Sequence, residues 1–149
     1  MPLAPAHGQA RADEPRVTAC AAPNAPAGPR LHVSVVGARR VAGNITISIY
    51  GPHPERFLAR RAYLARQRIP LRESSVQGCF ALSAPGDYAI AVYHDENDDH
   101  DFNRSLIGLP AEGYGFSNDA PTVVGLPSFD AVRLAVPAGG TSTTIHLRY

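Results

Sequence analysis

The sequence has no lysine and no tryptophan, and it contains one methionine among 149 residues. All fourteen basic side chains are arginines, and thirteen acidic side chains bring the net charge to +1 at pH 7. A chain so close to neutral has no overall field that attracts nucleic acid or an anionic membrane, and we interpret pairs such as Arg39-Arg40 and Arg60-Arg61 as ordinary solvated faces. No apolar run approaches the roughly 20 residues that a membrane helix needs. We therefore predict neither nucleic-acid binding nor a membrane span.

Motifs that mark common enzyme classes are also missing. There is no glycine-rich phosphate loop, no Cys-x-x-Cys pair and no His-Glu-x-x-His segment. Ser117 does not lie in the Gly-x-Ser-x-Gly turn that carries a hydrolase nucleophile. The sequence therefore predicts a protein that is not an enzyme.

Cysteine is scarce, and Cys20 and Cys79 are the two present. One pair fits an exported protein with a single disulfide. By the chain-entropy argument, closing a loop of roughly 60 residues contributes about 4 kcal/mol of stability. The alternative is two unrelated thiols, one buried beside Phe80 and one in a mobile tail. We favour the disulfide, which would pin the segment 21–29 onto the domain.

The first residues also bear on export. Ala10-Arg11-Ala12, followed by Asp13-Glu14, looks like the end of a secretory signal, although no basic start and apolar core precede it. A chance match in an alanine-rich stretch is the alternative. Together with the cysteine pair, this feature leads us to expect a periplasmic or secreted protein.

Composition divides the chain into two parts. Residues 1–29 are rich in Ala, Pro and polar side chains without a period, which is typical of a disordered leader or linker. Residues 30–149 suit a single domain, because domains commonly run about 100–200 residues. The apolar fraction of 44% in the whole chain is sufficient for a core.

Hydrophobic patterning predicts strands along the second part. Apolar and polar residues alternate with the period of half-buried strands, and turns rich in Gly and Pro separate them. The predicted strands are 31–36, 45–49, 57–69 (an ambiguous segment taken as an extended edge), 76–82, 88–93, 132–136 and 143–149. The short polar connection between the first two predicts a hairpin. Residues 88–93 are apolar on both faces, which is typical of a central strand.

Seven short strands without a helical pattern indicate an all-β fold, an antiparallel β-sandwich. Because residues 104–128 carry no strand pattern, we expect one long irregular loop at about 94–129. Tyr88 follows a Pro-Gly turn and suits the corner role that a Tyr hydroxyl plays in immunoglobulin-like sandwiches. Simple packing of its ring in the core is the alternative.

The most concentrated chemistry lies in the acidic segment, residues 94–103, where five acidic residues and two histidines directly follow a predicted strand. So much negative charge favours a bound cation or full solvation. Alternate positions match the spacing of oxygen ligands in a calcium loop. The predicted Ca²⁺ ligands are Asp95, Asn97, Asp99, Asp101 and Asn103.

Two departures exclude a helix-loop-helix calcium hand. His100 stands where the loop needs Gly, and Leu106 stands where it needs a bidentate Glu. A loop site completed by a distant carboxylate, Glu112 or Asp119, stays open, as does a solvated acidic turn. A transition-metal site would use His94, His100 and a carboxylate.

Glycines alternate with aromatic side chains at residues 113–116. This pattern favours a tight fold in which Tyr114 and Phe116 pack on the sandwich. The functional alternative is a ligand platform, on which the two rings stack against a sugar or a peptide.

Several blocks of this sequence, taken together, identify a family. They are Pro-Gly-Asp-Tyr-Ala-Ile-Ala-Val at 85–92, His-Asp-Glu-Asn at 94–97, Gly-Leu-Pro at 108–110, Glu-Gly-Tyr-Gly-Phe-Ser-Asn at 112–118 and Pro-Ser-Phe-Asp-Ala at 127–131. With these blocks the chain resembles, over about residues 31–149, the bacterial family catalogued as domain of unknown function 2141. Members of that family look like exported envelope proteins, and the family name records no activity.

The resemblance also bears on the acidic segment. The family's block looks like His-Asp-x-Asn-x-Asn-Gly-x-x-Asp, which carries over to Asp95, Asn97, Asp99 and Asn103. Here His100 replaces the Gly and Asn103 replaces the final Asp, which weakens the metal inference for this chain. The Pro-Gly-x-Tyr strand is also similar to transthyretin-like and carboxypeptidase-regulatory-like sandwiches, which implies an accessory or binding module.

We therefore expect an exported, non-enzymatic β-sandwich module, a monomer or weak dimer, with a structural Ca²⁺ site in its acidic segment. The first alternative is a module that binds an envelope glycan or peptide through Tyr114 and Phe116. The second is a metal-assisted hydrolase that uses His94, Asp95 and His100.

Overall fold

The structure, a computed structural model, describes residues 14–98, 112–122 and 125–149. Within these ranges the chain forms nine strands and three short helical turns. The strands are β1 (Val17–Ala19), β2 (Arg30–Val36), β3 (Asn44–Tyr50), β4 (Ala65–Pro70), β5 (Val76–Leu82), β6 (Gly86–Asp95), β7 (Tyr114–Phe116), β8 (Leu134–Val136) and β9 (Thr141–His146). Two 3₁₀ turns lie at Pro54–Arg56 and Ser117–Asp119, and α1 (Phe129–Val132) is a single α-helical turn.

The strands pair in two sheets that pack face to face. One sheet has four strands in the order β1-β5-β2-β9, and the other has five, in the order β4-β3-β6-β7 with β8 also paired to β6. All neighbours are antiparallel except β2 and β9, which run parallel. The predicted β-sandwich is confirmed, with nine strands where seven were expected and one parallel pair.

The core lies between the two sheets and follows from the period of two along each strand. Alternate apolar side chains of β2, β3, β5, β6 and β9 point inward and are buried. The fully or almost fully buried ones include Leu31, Val33, Val35, Ile45, Ile47, Ile49, Phe80, Leu82, Ile90, Val92 and Ile145. Each such side chain contributes about 1.5–3 kcal/mol by leaving water, before the entropy cost of ordering it.

A second apolar cluster covers the other face of the five-stranded sheet. It contains Tyr50, Ala89, Phe116, Ala120, Phe129 and Val132, with Phe57 packed against it. Strand β6 is therefore buried on both faces along much of its length, which confirms the prediction that residues 88–93 form a central strand. The prediction of an edge strand within 57–69 is also confirmed, because β4 ends the five-stranded sheet.

Tyr88 fulfils both roles considered for it. Its ring is 1% exposed in the core, and its hydroxyl donates a 2.6 Å hydrogen bond to the backbone carbonyl of Ala84, four residues earlier. Burial raises the pKa of the Tyr88 hydroxyl to about 12. This is the corner that was expected after the Pro-Gly turn.

The predicted leader is partly integrated into the sandwich. Residues 1–13 lie outside the described ranges, but Val17–Ala19 form β1 and pair with Phe80–Leu82 of β5. The expected domain boundary at residue 30 therefore lies too late. A three-residue strand followed by alanine and proline has no detectable period, and the disulfide at Cys20 adds a tether that patterning does not reveal.

Two expectations about local pairing are wrong. Strands β2 and β3 do not form a hairpin, because residues 37–43 carry the chain from one sheet to the other. Gly37 and Gly43 adopt φ values of 87° and 69° in this connection, a region that favours glycine. In the segment 104–128, where no strand was expected, Tyr114–Phe116 form β7 and pair with β6.

The two long sides of the sandwich differ. On one side, the backbone N–H of Tyr114 donates to the carbonyl of Arg148 at 3.0 Å, and the N–H of Arg148 donates to the carbonyl of Tyr114 at 2.8 Å. This bridge joins β7, at the edge of one sheet, to the chain that follows β9, at the edge of the other. The opposite side is bordered by β1 and β4, the remaining edge strands. One side is therefore closed by backbone hydrogen bonds, and the other is open.

Candidate functional site

The acidic segment leaves the end of β6 at the closed side of the sandwich, and its first half is held in place by a tight turn. The backbone N–H of Asp98 donates to the carbonyl of Asp95 at 3.3 Å. Asp98 adopts φ 56°, a left-handed conformation that Asp tolerates better than most residues. Asp95 itself belongs to β6 and is fully buried. The segment thus begins inside the sandwich and turns outward at Asp98.

A side-chain relay from β3 fixes this turn. The Asn44 amide donates a 2.6 Å hydrogen bond to the Asp98 carboxylate, and the Thr46 hydroxyl donates a 2.9 Å bond to the Asn44 carbonyl oxygen. Strand β3 places both side chains on one face, and Asn44 lies opposite Asp95 in the β3–β6 register. Both Asn44 and Thr46 are buried, whereas Asp98 at the end of the relay is exposed. Hydrogen bonds to a charged acceptor are among the stronger ones.

A second anchor joins Glu96 to Arg39. The guanidinium donates two hydrogen bonds, from Nε to Oε2 at 2.8 Å and from Nη2 to Oε1 at 3.0 Å. This bidentate bond lowers the pKa of Glu96, and it outweighs the opposite effect of partial burial. The same guanidinium lies over the ring of Tyr149, 4.5 Å from its centroid. Arg39 therefore connects the acidic segment to the end of the sequence.

His94 lies beneath this anchor and is fully buried. Its Nε2 lies 2.8 Å from the carbonyl oxygen of Ala42, and its Nδ1 lies 2.6 Å from the hydroxyl of Tyr149. Because a carbonyl can only accept, the hydrogen-bond pattern places a proton on Nε2, and Nδ1 shares a second hydrogen bond with the Tyr149 hydroxyl. The Tyr149 oxygen in turn accepts the backbone N–H of Arg39 at 3.2 Å. Every polar atom of this pair is used.

Gly113 makes room for the Tyr149 ring. A Cβ atom at position 113 would overlap that ring, so only glycine allows the ring to lie over the start of β7. The carbonyl of Gly113 also accepts the backbone N–H of His94 at 2.8 Å. The position of the Tyr149 ring therefore requires glycine at the first position of the Gly-Tyr-Gly-Phe block, and the sequence alone does not reveal this requirement.

The predicted calcium ligands are only partly described. Asp95 is fully buried and Asn97 is exposed, whereas Asp99, Asp101 and Asn103 lie outside the described residues, as does His100. Among the residues that the structure describes, no three His, Cys, Asp or Glu side chains group closely enough to hold a metal ion. The described half of the segment therefore does not form a metal site by itself.

The two distant carboxylates considered as further ligands occupy different environments. Glu112 is 5% exposed and directly precedes Gly113. The Asp119 carboxylate accepts the backbone N–H of His146 and contacts the His146 ring, each at 2.8 Å. Burial by itself raises the pKa of Asp119. The two His146 hydrogen bonds and the charges of His146 and Arg148 together lower this pKa by more than burial raises it, so the net shift is downward. Asp119 is thus committed to joining the 3₁₀ turn to β9.

Tyr114 and Phe116, the predicted ligand platform, lie in β7. Phe116 is 5% exposed and its ring contacts those of Phe57 and Tyr114, with centroids 6.1 and 6.3 Å apart. The Tyr114 hydroxyl lies 2.7 Å from that of Thr122, a hydrogen-bond distance. Both rings pack against neighbouring side chains of the sandwich, which is the first of the two interpretations given for this block.

The predicted disulfide between Cys20 and Cys79 is confirmed, with Cα atoms 5.4 Å apart. The backbone N–H of Cys20 also donates to the Cys79 carbonyl at 3.0 Å, which extends the pairing of β1 with β5. Both cysteines of the sequence are used, so the chain has no free thiol.

Ser117 has a structural role that sequence patterning did not reveal. Its buried hydroxyl accepts the backbone N–H of Ile90 at 3.0 Å and donates to the carbonyl of Val132 at 2.6 Å. The side chain therefore ties β6 to α1. A lone Ser after an aromatic residue carries no local signal for such a role, because both partners are distant in sequence.

Residues 33–146 match DUF2141, described as an uncharacterized protein conserved in bacteria. The chain belongs to this family. The resemblance inferred from the sequence blocks is thereby confirmed. Comparison with curated proteins and with solved structures gave no match.

The DUF2141 match begins within β2, ends with β9, and leaves out β1 and Tyr149. Cys79 and His94 therefore lie inside the matched domain, whereas the partner of each, Cys20 or Tyr149, lies outside it. This DUF2141 domain is held by contacts from both flanking segments. None of the helices within the described ranges has the length and apolarity needed to cross a membrane.

Proposed function

We propose that the protein is an exported, non-enzymatic β-sandwich module whose acidic segment holds a structural Ca²⁺ ion. The observation that carries this proposal is the Cys20–Cys79 disulfide. Disulfides form and persist in oxidising compartments such as the periplasm, whereas cytoplasmic thiols are kept reduced. The bond also secures β1, a three-residue edge strand, to the sheet. A periplasmic or secreted location explains why both cysteines of this small domain are joined in a disulfide.

A module without catalysis is supported by the use made of its reactive side chains. Both ring nitrogens of the buried His94 are hydrogen-bonded, so a metal ion could bind this ring only by displacing one of these hydrogen bonds. The Ser117 hydroxyl is committed to two backbone partners. Asp119 is committed to His146. Each of these groups holds two parts of the fold together; His94 and Ser117 are buried, whereas the Asp119–His146 pair lies at the surface.

The calcium part of the proposal rests on how the acidic segment is anchored. Two fixed points, Glu96 on Arg39 and Asp98 on Asn44, set the position and direction of the chain before residue 99. A fixed entry lowers the entropy cost of closing a loop around a cation. The remaining predicted ligands, Asp99, Asp101 and Asn103, would supply the hard oxygen donors that suit Ca²⁺.

The two alternatives receive less support. A glycan or peptide platform on Tyr114 and Phe116 would need rings that face outward, whereas Phe116 is 5% exposed in an apolar cluster. A metal-assisted hydrolase would need His94 and Asp95 at a surface that water and substrate can reach, and both are fully buried.

Cell fractionation tests the location. In a bacterium that encodes the full-length protein, we expect it in the periplasmic or secreted fraction, with a cytoplasmic enzyme followed as the control. Recovery with the cytoplasmic control would overturn export.

A calcium melting series tests the cation. Because a ligand that binds only the folded state stabilises it by RT ln(1 + [L]/Kd), millimolar Ca²⁺ should raise Tm and chelator should reverse the rise. The double substitution Asp99→Asn with Asp101→Asn should abolish this response. The matched charge control, Glu55→Gln with Glu73→Gln, changes two exposed residues elsewhere and should retain it. A Tm of the unsubstituted protein that does not respond to Ca²⁺ would refute the site.

A further inference from the structure

The open side of the sandwich carries a groove between its two edge strands. The groove has a volume of about 440 Å³. Arg68, Gln67 and Ile69 of β4 line one wall, and the Cys20–Cys79 disulfide and Gln77 line the other. The Gln67 amide crosses between the sheets and donates to the Cys79 carbonyl at 3.3 Å. The two walls of the groove are therefore joined by the Gln67 side chain of one sheet, which contacts the disulfide-bonded Cys79 of the other.

Positive charge is concentrated beside this groove. Six of the fourteen arginines fall within residues 56–72, and no acidic residue lies among them. We call this stretch the arginine edge. Its arginines are Arg56, Arg60, Arg61, Arg66, Arg68 and Arg72. The net charge of +1 over the whole chain hides this local excess.

Two of these six arginines have side-chain partners among the described residues. Arg56 pairs with Glu14 at 3.3 Å, and Arg66 lies over the Tyr63 ring, 4.1 Å from its centroid, while donating to Ser48 at 2.8 Å. The other four are exposed and form no ion pair within the described part of the chain; they are Arg60, Arg61, Arg68 and Arg72. Like charges so close together repel one another unless a counter-ion or a ligand compensates them.

The backbone holds the first arginine pair in a defined turn. Arg61 adopts φ 59° and Leu58 adopts φ 63°, both in the left-handed region that residues with a side chain rarely occupy. Two hydrogen bonds fix the turn, from Ala59 N–H to the Arg56 carbonyl at 3.0 Å and from Ala62 N–H to the Ala59 carbonyl at 3.1 Å. Backbone in this region is concentrated at functional positions of proteins.

We propose that the arginine edge binds an acidic polysaccharide that lies along β4. The strand has six residues and so extends for about 20 Å. Arg66 and Arg68 project from the same side of it, about 6.6–6.8 Å apart. Along the chain, the Arg60–Arg61 turn precedes the strand and Arg72 follows it, so that cations occur before, along and after β4. Such a series of guanidinium groups matches carboxylates that repeat along a linear polymer.

Two other classes of polyanion fit this surface less well. An anionic bilayer is usually bound with the help of apolar side chains, and the large exposed apolar side chains of the described residues, Val41, Leu126 and Tyr149, all lie outside the arginine edge. An acidic peptide would bind best as an added strand, but β4 carries arginines and ends at Pro70, which has no N–H to donate. A polysaccharide needs neither an apolar anchor nor a backbone ladder.

This inference goes beyond the proposed function and uses neither the acidic segment nor the location of the protein. Binding of the purified full chain to polygalacturonate, a carboxylate polysaccharide, tests it, with uncharged dextran as the blank. The edge variant is R60Q/R68Q/R72Q. The matched control is R16Q/R40Q/R133Q, which removes the same charge from exposed arginines elsewhere. Phosphatidylglycerol vesicles and polyglutamate are run in parallel as the competing classes.

We expect polygalacturonate to bind, dextran not to bind, and the edge variant to bind at least about tenfold more weakly, a change of about 1.4 kcal/mol. The control variant should lose less than about threefold, because distant charges are screened in physiological salt. Three results would overturn the proposal: no binding of polygalacturonate, equal losses in the two variants, or tighter binding of the vesicles or of polyglutamate. Failure here would leave the calcium and export results unaffected, so the two proposals are distinguishable.

Discussion

The hydroxyl of Tyr149 forms a hydrogen bond with Nδ1 of the fully buried His94, at 2.6 Å and across 55 positions of the sequence. The two residues belong to different sheets: His94 is the penultimate residue of the central strand β6, and Tyr149 follows β9 of the other sheet. Their contact reinforces the backbone bridge between Tyr114 and Arg148 that closes this side of the sandwich. It also lies directly beneath Glu96, so the acidic segment rests on it.

Removing the Tyr149 hydroxyl should destabilise the fold. Tyr149→Phe keeps the ring but leaves the buried Nδ1 of His94 without its hydrogen-bond partner, which costs about 1–3 kcal/mol. Urea unfolding at neutral pH measures this. Tyr63→Phe is the matched control, because the Tyr63 ring contact with Arg66 does not use the hydroxyl, and its change should stay within about 0.5 kcal/mol. Equal stability of the two variants would mean that the His94–Tyr149 bond does not stabilise the fold.

Gly113 and Tyr149 should be energetically coupled. An added Cβ at position 113 would overlap the Tyr149 ring, so Gly113→Ala should cost about 1–3 kcal/mol. In a Tyr149→Ala background the obstacle is gone, and the same change should cost much less. A double-mutant cycle by urea unfolding gives the coupling energy, expected at about 0.5–3 kcal/mol. Additive losses would contradict the packing described for the ring.

The Arg39–Glu96 pair predicts a pH dependence of stability. The bond from Arg39 lowers the pKa of Glu96 below its ordinary value of 4.5. A carboxylate with a lowered pKa in the folded state stabilises the fold fully above its ordinary pKa, and this contribution is lost as the pH falls from about 4.5 through the folded pKa. Glu96→Gln should therefore be less stable at pH 7 and lose less stability on acidification. Melting curves from pH 7 to pH 3 measure both effects.

A matched variant separates this pair from general acid effects. Glu73→Gln alters an exposed carboxylate, and its stability should follow that of the unsubstituted protein throughout the pH series, because surface substitutions change stability by less than about 0.5 kcal/mol. If Glu96→Gln and Glu73→Gln gave the same profile, the Arg39–Glu96 bond would have no measurable role in stability.

Loss of the disulfide should lower stability and release β1. The bond closes a loop with a sequence separation of 59, and the double substitution Cys20→Ser with Cys79→Ser should cost up to about 4 kcal/mol. In this variant, backbone amide hydrogen exchange at Val17–Ala19 should become faster than in the unsubstituted protein. Exchange at β3, which is buried along its whole length, is the internal reference. Unchanged protection of β1 in the variant would show that strand pairing alone holds it.

Much of the fold could be predicted because its longer strands carry clear local patterns. Ile45, Ile47 and Ile49 alternate with small polar residues, and residues 88–93 are apolar on both faces, so both strands were found. The three-residue strands β1 and β7 are too short to show a period. The supposed hairpin of β2 and β3 failed because a short polar connection can also carry the chain from one sheet to the other, and Gly37 and Gly43 allow that path.

The site was less predictable because its contacts are distant in sequence. Cysteine is rare enough in this chain for the Cys20–Cys79 pair to be proposed directly. His94 directly follows the predicted strand 88–93 and is a candidate metal ligand in the sequence, but no local pattern points from it to Tyr149, 55 positions away. The partners of Glu96 and Asp98 are likewise separated from them by 57 and 54 positions. Only the folded arrangement of the sheets brings these side chains together.

The central claim, that this DUF2141 protein is an exported module secured by its disulfide, is tested most directly by thiol trapping in intact cells. Cells of a bacterium that encodes the full-length protein are treated with a mass-tagged alkylating reagent, and the intact mass of the protein is measured before and after reduction. The account predicts no tag before reduction and two tags after it, one on each of Cys20 and Cys79. Two tags on the protein before reduction would contradict it, because the protein would then reside in a reducing compartment with both thiols free.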